Sequence, residues 1–128
     1  MRQITKRFLK GQDFRTETEK FVKDENIKAG VIVCAVGSLE PLRLRMAGAK
    51  IVREWPGEFE ITSITGTVSV NGNHIHMTAS DVDGKVYGGH LKEGCIVRTT
   101  VEFVVLVFDY VEYKRVKDPE TGFEELSF

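Results

Sequence analysis

The chain has 128 residues, with 18 Lys and Arg against 19 Asp and Glu for a net charge of -1, and is 41% hydrophobic and 29% charged. That length suits one domain over residues 1–128, and that balance excludes a disordered chain and any bulk pull towards nucleic acid or anionic lipid. The longest unbroken apolar runs, Val31–Val36 and Phe103–Phe108, are too short to cross a bilayer as helices, so no membrane association is expected.

The first ten residues carry charge but no apolar core of a secretory signal, and a cytoplasmic location is expected. Residues 2–9 suit a short first strand. Asp13 has the chemistry of a helix N-cap, with Glu17 and Glu19 in the turns that follow. Phe14, Phe21 and Val22 then fall on one side of a helix at i, i+7 and i+8. Asn26 is placed as a left-handed terminator, with Ile27 folding back as its apolar contact. After Gly30 the period becomes that of strands. Val31–Val36 reads as a buried strand rich in β-branched residues. Leu42, Leu44 and Met46 alternate with Arg43, Arg45 and Ala47, which predicts a half-exposed strand.

Pro56-Gly57 opens a longer strand, with Phe59, Ile61 and Ser63 on one face and Glu58, Glu60, Thr62 and Ile64 on the other. Asn71-Gly72 and Val82-Asp83-Gly84 are predicted hairpin turns, Val101–Val111 a long apolar strand, and Asp118–Gly122 a terminal turn. The sum is an α+β domain: one main helix and a mainly antiparallel β-sheet of about seven strands. Cys34 and Cys95 lie far apart in apolar stretches and read as two buried free thiols.

All three histidines lie between positions 74 and 90. His74 and His76 are two apart on a predicted strand, so both point to one face. A three-residue loop with Gly84 in the left-handed position pairs Asp81 with Lys85, and hence His76 with His90. Directly opposed residues share a face, so the three imidazoles converge. A two-residue Asp83-Gly84 loop would instead set His90 opposite Met77, on the other face. The first register is preferred, because it leaves Ile75, Met77, Ala79, Tyr87 and Leu91 together as a core face. Three neutral imidazoles with an open fourth position suit zinc, or another divalent transition metal. Gly88 and Gly89 leave space beside His90 for a ligand or another chain's backbone. Ser38 lacks the context of a nucleophile and reads as part of a strand-end turn. Glu58, Glu60 and Glu102 are strand carboxylates. Of these, Glu60 and Glu102 are the expected proton-transfer groups if the sheet brings them near the metal. Arg43, Arg45, Lys50 and Arg53 form a modest basic stretch, a solvated face by default and the residual candidate for phosphate contact.

Several blocks in order carry a family resemblance. They are Val36-Gly37-Ser38-Leu39, Gly57–Ser63, Gly66–Ser69, His74-Ile75-His76, Ser80-Asp81 with Gly84, Gly88-Gly89-His90-Leu91, Gly94-Cys95, Thr99-Thr100 with Glu102, and Asp118–Gly122. In these the chain resembles the plant and prokaryote conserved (PPC) domain over nearly its whole length. The resemblance implies a compact antiparallel sheet with one helix, assembling as a homotrimer. In plant members the domain follows AT-hooks that grip the DNA minor groove, and the block at Gly57–Ser63 is linked to protein partners. No Arg-Gly-Arg-Pro core of an AT-hook occurs in this chain, so weak DNA binding at best is expected. The histidine spacing is also similar to that of acetolactate decarboxylase and of a related zinc ester hydrolase. Two readings follow: a metal-holding trimeric binding or regulatory module, and a small zinc lyase or hydrolase acting on a carbonyl or ester. A fourth zinc ligand from protein would favour the first, and a bound water in a concave pocket the second.

Overall fold

A computed structural model describes all of residues 1–128. The strands are β1 (Arg2–Leu9), β2 (Ala29–Leu39), β3 (Leu42–Arg45), β4 (Val52–Trp55), β5 (Phe59–Ser69), β6 (Gly72–Ser80), β7 (Val86–Leu91), β8 (Val97–Val107), β9 (Lys114–Lys117) and β10 (Glu124–Ser127). One helix, α1 (Phe14–Asp24), follows β1. Eight strands form one sheet in the order β1-β8-β2-β5-β6-β7-β3-β4, every pairing antiparallel, and β9 and β10 make a separate hairpin.

The helix forms where the sequence places it. The Asp13 carboxylate accepts from the Thr16 backbone N–H at 3.0 Å, satisfying one of the free donors of the first turn. Asn26, at φ 50°, ends the helix, and Ile27 N–H closes back on the Val22 carbonyl at 3.0 Å. Phe14, Phe21 and Val22 are buried as the 3.6-residue period requires. Phe14 and Phe21 meet Phe8 of β1 and Phe103 of β8 edge-to-face, with ring centroids 5.6–6.4 Å apart. Alternate residues of the sheet complete this core: Val101, Val105 and Val107 beside Phe103, then Ile75, Met77, Ala79 and Leu91. The opposite face of the sheet has no helix over it.

The main sheet of eight strands agrees with the expected antiparallel sheet of about seven, and β9 and β10, four-residue pieces too short to show a period, lie outside it. Three expectations differ from the structure. The turn between β5 and β6 is Val70-Asn71, since Gly72 already pairs with Ser69. The long β8 runs Val97–Val107 rather than 101–111. Its ladder with β2 starts at Leu39 and is exhausted at Gly30, and beyond it the Phe108 N–H bonds to the Ala29 carbonyl. Finally, a bulge between Ile61 and Ser63 reverses the alternation of β5. Ser63 therefore turns outward, while Ile64 packs against the core. Both thiols are free; Cys95 is buried as expected, but Cys34 is only half-buried.

Candidate metal centre

The site is built on the β6–β7 hairpin. Asp81 N–H donates to the Lys85 carbonyl at 2.9 Å, and Gly84 N–H to the Asp81 carbonyl at 3.0 Å. One Asp81 carboxylate oxygen also accepts from the N–H groups of Asp83 and Lys85, at 3.0 and 2.9 Å. Gly84 sits at φ +79°, where a side chain would be strained. This is the three-residue loop, and it sets the register: Ser80 opposes Val86 and His76 opposes His90. His74 follows on the same face two residues before His76.

The ligand nitrogens of His74, His76 and His90 all lie within 4.8 Å of one another. His74 Nε2 and His76 Nε2 are 3.1 Å apart. Around a tetrahedral ion with bonds of about 2.0–2.1 Å, neighbouring ligand nitrogens stand roughly 3.3 Å apart. His74 and His90 are half-buried and His76 is exposed. Burial first, then the Arg45 guanidinium, pushes the pKa of His90 down to about 3. Burial and then Arg115 lower that of His74. Both rings are thereby held neutral, the form that binds a metal. His90 Nδ1 is buried without a hydrogen-bond partner. A buried polar atom left unpaired is costly, and a donor set of neutral imidazoles with one unsatisfied nitrogen fits a transition-metal ion.

The histidines form one wall of a cavity of about 1010 Å³. No carboxylate or thiol joins their cluster. Sequence reasoning did not place the basic groups that line this cavity: Arg15 from α1, Arg45 from β3, Lys92 just after β7, and Arg115 from β9. Arg15 Nη1 lies 3.3 Å from His90 Nε2 and donates to the Leu91 carbonyl at 2.6 Å. Arg115 Nη2 lies 3.3 Å from His74 Nδ1. Arg45 is directly opposite His90 on the neighbouring strand. Only Arg45 had a signal in the sequence, as a member of the alternating basic stretch. That stretch is divided in the fold: Arg43 donates to the Glu93 carbonyl at 2.8 Å and stands 3.8 Å from Glu54, while Lys50 and Arg53 are exposed.

The two expected proton-transfer carboxylates are not at this site. Glu102 is on β8, opposite Arg7 and Val36, with β2 and β5 between it and the histidine hairpin. Glu60 is near the start of β5, opposite Ser80 at the end of β6 away from His74, and lines a separate cavity of about 480 Å³ with Glu58 and Arg98. The acids that reach the histidine cavity are Glu124 and Glu125 of β10. Ser38 is within β2, its hydroxyl 2.6 Å from that of Thr99. The space expected at Gly89 is taken up by this chain itself: a Cβ there would stand 2.7 Å from the Arg45 carbonyl, so the glycine lets β3 approach. Gly88 faces the Thr78 side chain and lines the cavity.

Known proteins resemble this chain in sequence and in fold. Two Synechococcus proteins called bifunctional protein GlmU are 38% and 36% identical over 122 and 123 residues, 94% of this chain. The chain spans only 19% of the length of these curated relatives. A hypothetical protein of Salmonella cholerae-suis superposes with a TM-score of 0.94 at 34% identity, covering 98% of this chain and 91% of that one. A Bacteroides thetaiotaomicron protein described as a candidate DNA binder shares the fold, with a TM-score of 0.88 at 24% identity and coverage of 98% and 91%. A metal-containing protein of Archaeoglobus fulgidus gives a TM-score of 0.83 at 26% identity, covering 100% and 94%. Residues 1–109 match the profile of the Plants and Prokaryotes Conserved domain, and the chain belongs to that family.

Proposed function

We propose that this chain is a PPC-domain binding or regulatory module that holds a zinc-like divalent ion through His74, His76 and His90 and works as a homotrimer. The observation that carries the reading is the convergence of three imidazoles, two of them held neutral, at the wall of a large cavity. The description of the Archaeoglobus fulgidus relative as metal-containing supports it. DNA binding is at most weak: the net charge is -1, and the basic stretch is divided between the histidine cavity and the sheet edge. A salt-sensitive submicromolar affinity for duplex DNA at physiological ionic strength would overturn that part.

A second reading has one specific observation in its favour. The cluster lacks a fourth ligand from this chain and opens on the cavity, as a catalytic metal site does. A bound ion there would supply Lewis acidity and a water of lowered pKa to a small lyase or hydrolase acting on a carbonyl or ester. Against this reading, Glu60 and Glu102 are absent from the cavity, and proton transfer would fall to Glu124 or Glu125.

Elemental analysis of protein purified without a histidine tag tests the metal. One ion per chain is expected, lost in His76→Ala and retained in Glu102→Gln. Equal metal content in wild type and His76→Ala, or metal that added zinc fails to restore, ends both readings of this site.

A further inference from the structure

The histidine cavity is walled by cations beyond what its metal needs. Four basic side chains line it: Arg15, Arg45, Lys92 and Arg115. Two of them are already matched. Arg15 pairs with Glu19 at 3.0 Å and Glu93 at 3.3 Å, and Lys92 pairs with Glu93 at 3.7 Å. Arg45 and Arg115 have no carboxylate oxygen within 4.0 Å. Each instead flanks a histidine, Arg45 across the ladder from His90 and Arg115 against His74. The two acids of the cavity are Glu124 and Glu125, and the Glu125 carboxylate accepts from the Thr121 hydroxyl at 2.9 Å.

Placing guanidinium groups beside neutral imidazoles that are to receive a dication is unfavourable by ordinary electrostatics. Like charges raise each other's energy, more so at a partly desolvated site. A ligand that carries negative charge turns the same arrangement into a favourable one. Its oxygens can sit at once on the open metal position and in the planar forks of the two arginines, the geometry that carboxylate and phosphate fit best.

We propose that this cavity binds a small oxyanion, a carboxylate or phosphoryl group, held by Arg45 and Arg115 with one oxygen at the open metal position. The proposal rests on the histidine cavity being the functional site. Arg115 reaches the cavity from a hairpin beyond residues 1–109, the part matched to the family, so the C-terminal hairpin supplies half of the anion's charge partners. Its place is fixed through backbone bonds. Asn71 Nδ2 donates to the Arg115 carbonyl at 2.9 Å, and the Arg115 N–H donates to Asn71 Oδ1 at 2.7 Å. An Arg115 side-chain variant keeps both.

The test is calorimetric titration of zinc-loaded and of metal-free protein with inorganic phosphate and, separately, succinate. At least one should bind the wild type with a Kd below about 1 mM. Arg45→Gln and Arg115→Gln should each weaken it about 10- to 100-fold, with Arg115→Lys intermediate, at unchanged zinc content and near-ultraviolet dichroism. A response to phosphate alone assigns a phosphoryl ligand, and one to succinate alone a carboxylate. Zinc loading with no binding of either anion overturns the proposal and leaves the metal reading standing, as does binding indifferent to both arginines. Arginine-dependent binding by a protein that takes up no zinc would uphold the Arg45 and Arg115 anion site but overturn the oxygen at the metal position, and the metal reading with it.

Discussion

His90 shows how a single residue takes its chemistry from neighbours that are distant in sequence. Its ring is half-buried and is faced by Arg45, Arg15, His74 and His76. All of these disfavour a second proton, burial most, and the folded-state pKa falls to about 3 from an ordinary 6.5. In the unfolded chain the ring titrates normally. Between about pH 6.5 and 3 the unfolded state therefore binds a proton that the folded state refuses, and stability from this group falls as pH falls through that window. In metal-free protein, the difference in Tm between wild type and His90→Gln should move against the wild type as the buffer goes from pH 7 to pH 4. A constant difference across that range would contradict the electrostatic account. The convergence of the three histidines was legible in the sequence because it depends on strand period and one turn, both local. The arginines around them were not, because Arg15, Arg45 and Arg115 arrive from α1, β3 and β9 through pairings that no local pattern reports.

Among the elements, those with a strong local signature were legible, and those held by distant partners were not. Asp13 and Asn26 bound α1 through their own side-chain and backbone chemistry, and Gly84 fixes the β6–β7 register. Gly84→Val should cost about 1–2 kcal/mol from the left-handed backbone alone, since no atom lies within 4 Å of an added Cβ. Because the Asp81 bonds still define the loop, zinc content should survive that change, which denaturant titration and elemental analysis together would check. The β9–β10 hairpin carries such a signature only at its turn, Asp118–Gly122, where Gly122 sits at φ 76°; where the hairpin docks is set by distant partners. Val70 N–H bonds to the Tyr113 carbonyl at 3.1 Å, and Asn71 grips Arg115 from both sides. Asn71→Ala removes two hydrogen bonds to an exposed edge, worth about 1–2 kcal/mol together. Hydrogen exchange should quicken over residues 114–127, with little change in the ladder of β8. Equal protection of that hairpin in both proteins would show that something else holds it.

For the whole molecule the decisive feature is the sheet's second face. The helix and the Phe8, Phe14, Phe21 and Phe103 cluster cover one side. On the other, Val31 opposes Leu106, Cys34 opposes Val104 and Val36 opposes Glu102. Val33 and Val36 are 56% and 57% exposed, and Val31, Val104 and Leu106 are half-exposed beside them. A contiguous valine and leucine patch on β8 and β2, the second and third strands of an eight-stranded sheet, is unfavourable in water, and association of like subunits removes it. The proposed homotrimer would bury this patch among three copies. Light scattering at micromolar concentration should therefore give about three times the 14.4 kDa chain mass. Replacing Val33 and Val36 together by Glu would place like charges on each copy's contact face and should shift the mass towards a single chain. Zinc content should hold in that variant, because β5 separates β2 from the histidine hairpin and both residues are clear of its cavity. A monomer mass for the wild type would refute the trimer. A trimer untouched by Val33→Glu and Val36→Glu would place its interface elsewhere on the sheet.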